Sequence, residues 1–566
     1  MQPSPLGRPP AGRPRCRPSP GAQCDGVPFA PFDRCLEHLS GTEIDQAFGL
    51  INPGADIDVR GTRLSGKLLS RLAAVVGNAA GEAVFGTAKF SGALFDDAAS
   101  FAKARFNGDA QFEDARFHAD VTFAGASFSQ DALFTGTQFE GAAIFDSGVT
   151  VNGSAVFSSA QFRGPADFTH ARFEGGSSFN RATFSGLAGF TGTRCHANAD
   201  FTSTRFSAAR SLGPLAVRDR LLLDHAAFEE KVTIEAAASA ITARHASFAG
   251  ATLLLGYGDV SLDNITTTEP MTVIGALPEL AAGGLTPPGA ALPGGAHPEP
   301  TLLSLGGVDA SQLLLIDLDL SECHFTDAFN LDQLRFEGSR CRFAEPPRPR
   351  GWRHALPPTR RQMLAEERDW RSGRRRFSWQ PRRHPSVPAL EPERILTTYR
   401  QLRKAQEDAK NEPGAADFYY GEMEMRRHAS TTAAAEKLIL TLYWAVSGYG
   451  LRATRALWAL LITLALSTVA FATAGFASSQ TVRYLPVPPS RPGLAAAYQQ
   501  VTVAGPRPGW LSAFFYSLHS STSLLSGAQP ALPLTNAGEA VQIALKLLGP
   551  VFAGLAILAV RNRIKR

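Results

Sequence analysis

The stretch Phe106-Asn107-Gly108-Asp109-Ala110-Gln111-Phe112-Glu113-Asp114-Ala115-Arg116-Phe117 decides the fold of the first half of this chain. Its phenylalanines stand six and then five residues apart, and alanine precedes each at i−2 (Ala104, Ala110, Ala115). The same beat runs outward through Phe90, Phe95, Phe101, Phe106, Phe112, Phe117, Phe123, Phe128, Phe134, Phe139 and Phe145, then Phe157, Phe162, Phe168, Phe173, Phe179, Phe184 and Phe190. The register slips once near Val151, and Cys195 takes one Phe place. A fixed short period sustained over this distance means stacked coils.

An eleven-residue period also suggests a helix, but helical repeats of that length place apolar residues three and four apart. Spacings of five and six put successive phenylalanines on opposite sides of a helix. Ala at i−2 and Phe at i instead share one face of a short strand. Gly and Asp or Asn recur between them and supply corners. The expected result is a solenoid with small residues and large rings alternating inside each face.

This Phe-centred register resembles the pentapeptide-repeat family. The resemblance implies a right-handed, four-sided β-helix, with faces of five and six residues giving roughly 22 residues per coil and about 4.8 Å of rise. Each coil buries little alone, so stability comes from stacking and the ends need caps.

The rest of the 566-residue chain divides around that core. Residues 1–30, rich in Pro and Arg, read as a disordered arm, and 31–80 as a helical capping module on Leu64, Leu68, Leu69, Leu72, Val75 and Val76. The β-helix is expected over 81–275, with Leu, Val and Ile replacing Phe from about 207. Residues 276–301 read as an Ala/Gly/Pro loop. The register returns over 302–345 on Leu315, Leu320, Phe325, Leu331 and Phe336. Residues 346–392 read as a linker, in which twelve Arg between Arg348 and Arg383 face only Glu366, Glu367 and Asp369. Its interleaved Trp352, Trp370 and Trp379 admit nucleic acid or anionic lipid, but a juxtamembrane face is favoured over nucleic acid. Residues 393–450 read as a helical connector: Glu393–Lys410 and Gly414–His428 pair through a turn at Asn411-Glu412-Pro413-Gly414, with Tyr399, Leu402, Arg403 and Gln406 on one face. The segments Tyr399–Lys404 and Phe418–Glu424 resemble the connector of membrane-bound pentapeptide-repeat proteins of actinobacterial type.

Residues 451–566 read as a two-span membrane domain. Ala456–Ala477 carries no charge, and Leu547–Val560 extends back through Lys546 to Ala540, so each reaches membrane length. Arg452 and Arg455 precede the first span, and Arg561, Arg563, Lys565 and Arg566 follow the second, which places both termini in the cytoplasm. The loop at 510–528, expected as a re-entrant half-helix, resembles the pore loop of two-helix potassium channels. Ser520, Ser521, Thr522 and Ser523 would form its constriction. Where a Thr-x-Gly-Tyr-Gly filter should follow, the chain has Thr522-Ser523-Leu524-Leu525-Ser526-Gly527, and no Asp or Glu occurs between Lys437 and Gly538. Gly256-Tyr257-Gly258 and Gly448-Tyr449-Gly450 mimic a filter but lie outside the loop.

No nucleotide, cofactor or metalloprotease motif is present, and the six cysteines, with no paired ligand spacing, read as reduced thiols. The expectation is an inner-membrane bacterial protein without catalytic residues, cofactor or metal. It would be a structural or regulatory scaffold that binds an unidentified protein through the β-helix and self-associates in the membrane. An ion channel and an acidic, DNA-mimicking topoisomerase binder are the alternatives. The solenoid is only faintly acidic, which disfavours the second.

Overall fold

Two-residue strands alternate with corners along the first half of the chain. Ala88–Lys89, Leu94–Phe95, Ala99–Ser100 and Arg105–Phe106 make one coil, and Ala110–Gln111 starts the next directly over Ala88–Lys89. The pairing is parallel between residues twenty-two apart, as in Ala88↔Ala110, Phe95↔Phe117, Ala99↔Val121 and Phe106↔Phe128. This is a parallel β-solenoid with four faces, and one face, from Arg63–Leu64 to Thr266–Thr267, carries ten strands. The computed structural model describes residues 16–17, 24–275, 300–346, 361–372, 390–478, 480–487, 497–504, 508–526 and 532–564. They fall into two compact units, Met1–Ala389 and Leu390–Arg566.

The interior is built from ring columns. Phe90, Phe112, Phe134, Phe157, Phe179 and Phe201 stack with centroids 4.8–4.9 Å apart and planes within 6°. Phe101, Phe123, Phe145, Phe168 and Phe190 form a second column at 4.8–5.1 Å, which meets the first edge to face. The ring spacing is that of hydrogen-bonded strands, so one geometry satisfies the backbone and the rings together. Cys195 lies over Phe173, buried, and burial pushes its thiol up to about 11.

Corners follow a rule finer than the expected Gly and Asp. The second residue after Phe90, Phe101 and Phe112 is left-handed (Gly92, Lys103, Asp114), and the next amide donates back to the Phe carbonyl at 2.9–3.1 Å. That is a type II turn. Other corners need glycine because coils touch: a Cβ on Gly164 would stand 2.3 Å from the carbonyl oxygen of Gly141. The slip near Val151 is one inserted residue. Ser147 and Gly148 are both left-handed, and pairs spanning them, such as Phe128↔Val151 and Phe139↔Phe162, lie twenty-three apart.

Beyond Phe206 adjoining faces fuse into the longer strands Ser211–Val217, Val232–Thr242 and Thr252–Ser261. The coils also shorten: Phe206 pairs with Phe228, twenty-two residues on, but Phe228 pairs with Phe248, twenty on. Leu212, Ile234, Leu254 and Val260 fill the interior. The expected loop at 276–301 lies outside the described residues except for Pro300 and Thr301. The ladder resumes with Met271↔Leu313 and Leu315↔Phe336.

Both ends are closed. Helix α1 (Gly41–Phe48) opens with a capping box in which the Ser40 hydroxyl accepts from the Glu43 amide while Glu43 accepts from the Ser40 amide. Helix α2 (Gly66–Val75) buries Leu69 and Leu72. Leu64 belongs to a strand paired with Phe95, not to that helix, because the first coil already starts at Ile57. Part of the expected disordered arm is packed: Cys16, Val27 and Phe29 are buried, and Phe29 meets Phe48 edge to face. At the other end, part of the expected Arg-rich linker is a cap. Helix α3 (Ala365–Ser372) gives the Glu366 carboxylate to the Phe325 amide and Asp369 to His324 Nε2 at 3.0 Å. Glu367, wholly buried, pairs with both Arg361 and Arg371.

The second unit begins with the helical hairpin α4 (Pro392–Asp408) and α5 (Glu412–His428). Tyr399, Leu402 and Phe418 are buried between them, and Gly421 leaves room for the Tyr399 ring, since a Cβ there would stand 2.4 Å from it. Arg403, expected on that buried face, pairs with Glu422 and Glu407 instead. The turn is Ala409-Lys410-Asn411: Asn411 caps α5, and Pro413 sits in its first turn, where a missing N–H is harmless. Helices α6 (Ala434–Ser447), α7 (Ala453–Ala470, extended by a π turn through Gly475), α8 (Trp510–Ser526) and α9 (Asn536–Ile564) follow. Between α7 and α8, Gln480–Val487 and Ala497–Ala504 pair as an antiparallel hairpin that the sequence reading did not foresee.

Candidate functional site

Two helices, spanning Ala453–Gly475 and Asn536–Arg561, are long and apolar enough to cross a membrane. The first starts three residues before the expected Ala456, and the second starts four before Ala540. Each shows large apolar side chains: Leu457, Trp458, Leu461, Ile462 and Leu466 on α7, and Ile543, Leu547, Val551 and Ile557 on α9. Pro550 lies inside α9 and removes the amide that would bond the Lys546 carbonyl.

Helix α8 packs on these two through small residues. Ala513 and Tyr516 are buried with Phe471, Phe476 and Leu545, and Gln542 donates to the Tyr516 hydroxyl at 2.7 Å. One turn on, Ser517, Ser520 and Ser521 are buried. A Cβ on Gly549 would stand 2.7 Å from the Ser521 carbonyl oxygen, so glycine brings the two backbones together there. Gly549 thus serves a contact within the chain. Of the four expected constriction residues, Ser520 and Ser521 face this packing. Thr522 is exposed, with its hydroxyl 3.2 Å from the carbonyls of Leu518 and His519. Ser523 lies on the same helix, and its side chain is outside the described residues.

The junction before α7 is aromatic and cationic. Gly448, Tyr449 and Gly450 are successively left-handed, and Tyr449 is buried with its hydroxyl donating to Glu424 at 3.1 Å. Burial, with the Glu424 charge beside it, pushes the Tyr449 phenol up. Arg427 and Arg455 lie over the Trp444 ring at 4.6 and 5.2 Å. The paired carboxylates Glu422 and Glu424 are ion-pair partners: Glu422 of Arg400 at 3.0 Å, and Glu424 of Arg427 at 3.1 Å. A groove of about 350 Å³ is lined here by Arg403, Glu407, Tyr419, Tyr443 and Leu451.

A second constellation lies in the N-terminal cap, among cysteines expected as reduced thiols with no paired ligand spacing. Cys16, Cys24, Cys35 and His38 converge, their ligand atoms all within 4.8 Å of one another. Cys24 Sγ is 3.6 Å from Cys35 Sγ, and His38 Nδ1 is 3.1 Å from Cys35 Sγ and 3.6 Å from Cys16 Sγ. The single helical turn Leu36–His38 folds the imidazole back onto Cys35. The legible signal was Cys35-Leu36-Glu37-His38, a two-residue ligand spacing whose partners lie eleven and nineteen residues upstream.

A family model described as pentapeptide repeats (9 copies) matches residues 80–127, 101–147 and 134–183. Comparison with curated proteins and with solved structures gave no match. The matched spans lie within the Phe-centred coils: residues 80–183 match pentapeptide repeats, and the chain is a parallel β-solenoid followed by helices, two of them long and apolar enough to cross a membrane.

Proposed function

We propose that this chain is a membrane-anchored, non-catalytic scaffold. In this reading its right-handed solenoid stands on the cytoplasmic face of a bacterial inner membrane and binds a protein partner. The observation that carries the reading is the exposed apolar surface of α7 and α9, in a chain whose solenoid buries every phenylalanine from Phe85 to Phe206. Water is a poor solvent for the first surface and needs nothing from the second. The basic residues flanking the spans, against only Arg483, Arg491 and Arg507 between them, favour cytoplasmic termini. The solenoid surface mixes signs, with pairs such as Arg163–Glu140 and Arg205–Glu229, which suits protein contacts better than mimicry of a polyanion.

Alkaline washing of membranes tests the anchor: the chain should stay in the pellet, and release into the wash overturns it. Cysteine labelling in intact cells tests the topology. A cysteine added at Ser490 should gain label from a membrane-impermeant reagent, and one added at Ser430 should not; the reverse result refutes it. The channel reading requires several copies around an axis. Unitary currents from the purified protein in planar bilayers, lost on Thr522→Leu, would replace the scaffold with a pore.

A further inference from the structure

We infer that Cys16, Cys24, Cys35 and His38 form a structural zinc site that fastens the N-terminal segment to the first coil of the solenoid. Four ligands of the Cys3His type are a closed structural set, with no position left for substrate. Zinc–sulfur bonds of about 2.3 Å at tetrahedral angles put sulfurs about 3.8 Å apart, and sulfur and nitrogen about 3.5 Å apart. Three of the six edges are 3.6 Å for Cys24–Cys35, 3.6 Å for Cys16–His38 and 3.1 Å for Cys35–His38, within half an ångström of those figures, and all six lie within 4.8 Å. A disulfide would bring two sulfurs to about 2.05 Å, and three clustered thiols cannot all pair with one another.

Other groups are arranged as they are around a thiolate–metal centre. The Gly26 amide donates to Cys24 Sγ at 3.4 Å, and the Cys35 amide donates to Cys16 Sγ at 3.2 Å. Such N–H···S bonds stabilise negative sulfur and orient it. Gly26 fits because it lacks a side chain: a Cβ there would stand 2.8 Å from Cys35 Cβ and 3.1 Å from its sulfur. Arg34 braces the loop from outside, donating to the His38 carbonyl at 3.0 Å and pairing with Glu43.

The place of the cluster explains what a metal would do. Val27 donates to the Arg60 carbonyl at 3.0 Å, in the first coil, so the segment carrying Cys24 lies along the end of the solenoid. That segment is rich in Pro and Arg and brings few apolar anchors. Zinc binding free energy would hold it in place where apolar burial is scant, and a terminal repeat needs such a cover.

The test uses the full chain, purified in detergent without chelator. Elemental analysis should find one zinc per chain. Cys24→Ser and Cys35→Ser should each lose it, whereas Cys195→Ser, at a thiol within the ladder, should keep it. His38→Cys should retain metal as a four-thiolate site, while His38→Ala should bind it far more weakly. Should the serine variants fail to fold, cobalt titrated into the metal-stripped wild-type chain decides: the intense absorption of tetrahedral cobalt–thiolate should saturate at one equivalent. Wild-type protein without stoichiometric metal and without that absorption overturns the inference. So does zinc that persists in both Cys24→Ser and Cys35→Ser, or a Cys24–Cys35 disulfide mapped in freshly isolated protein.

Discussion

Between Phe85 and Phe206 the chain hides every phenylalanine, whereas α7, α8 and α9 leave large apolar side chains in the open: Leu511 is 72% exposed, Ile557 69% and Trp458 65%. Both regions pack closely where they pack at all. The rings stack at strand spacing, and Gly549 meets the Ser521 backbone. The difference lies in what surrounds them. A solenoid coil turns its apolar side chains inward and its polar ones outward, so stacking completes it in water. A helix apolar all round is incomplete until something apolar covers it. Side chains of one chemistry therefore mean core in one unit and solvent-facing surface in the other, and substitutions should separate the two meanings.

The largest effect belongs inside the solenoid. Phe123 and Phe168 are fully buried within a ring column, and Phe123→Ala or Phe168→Ala should each destabilise the solenoid by about 3–5 kcal/mol. Asp131, at a corner, accepts from the Ser154 amide of the next coil at 2.7 Å, so Asp131→Ala should cost about 1 kcal/mol. Denaturant unfolding of the full chain, followed by the solenoid's own signal, measures both. Equal losses at the two kinds of position would break the distinction between ladder and corner.

The next effect contrasts two exposed leucines. Leu461 lies near the middle of the Ala453–Gly475 helix and Leu187 on the solenoid surface, and both are more than half exposed. Leu461→Asp should oppose membrane insertion by about 3 kcal/mol, seen as loss of the chain from the washed membrane fraction. Leu187→Asp should change stability by no more than about 0.5 kcal/mol. If Leu461→Asp leaves the protein in the membrane, α7 is a core helix that happens to be open, and the contrast fails.

A third effect tests packing within the helical unit. Gly549→Leu forces a side chain into the backbone of Ser521 and should cost about 1–3 kcal/mol, read as a lower melting temperature in detergent. Gly554, with open space where its Cβ would lie, should tolerate alanine. Equal tolerance at both positions would mean that α8 does not lie on α9.

The same contrast decides what the sequence could disclose. The ladder is legible because each coil repeats its own neighbour, so a local spacing encodes contacts twenty-two residues away. Even the slip near Val151 was visible, as one extra residue in the count. The hairpin face of Tyr399 and Leu402 shows through helical periodicity. Features made by single, unrepeated meetings do not. Glu366 caps the Phe325 amide forty-one residues back, Cys16 meets His38 twenty-two residues on, and Gln480–Val487 finds its partner strand across a separate segment. Nothing periodic announces such a pair. The Arg-rich stretch misled for that reason: its composition reads as a linker, but Arg361 and Arg371 are spent on one buried glutamate.

The smallest expected effect lies in the connector, where neither ring columns nor lipid would act. Glu393, in the first turn of α4, accepts from the Ser430 hydroxyl at 2.7 Å and from the amides of Ser430 and Thr431, tying the start of the hairpin to the segment after it. The Ser430 hydroxyl is the main cause holding this carboxyl below the usual range, against a smaller upward push from burial. A carboxyl lowered in the folded state contributes stability above its unfolded value of about 4.3, and that contribution is lost as pH falls through the folded value. Amide exchange at Ser430 and Thr431 should therefore be insensitive to this group from pH 7 to 5, after allowance for intrinsic exchange rates. It should quicken only in more acid solution. Glu393→Gln should remove the acid step and leave α5 helical. An acid step that survives in Glu393→Gln would assign it to another carboxylate, with Glu436, paired to Arg426, as the next to test.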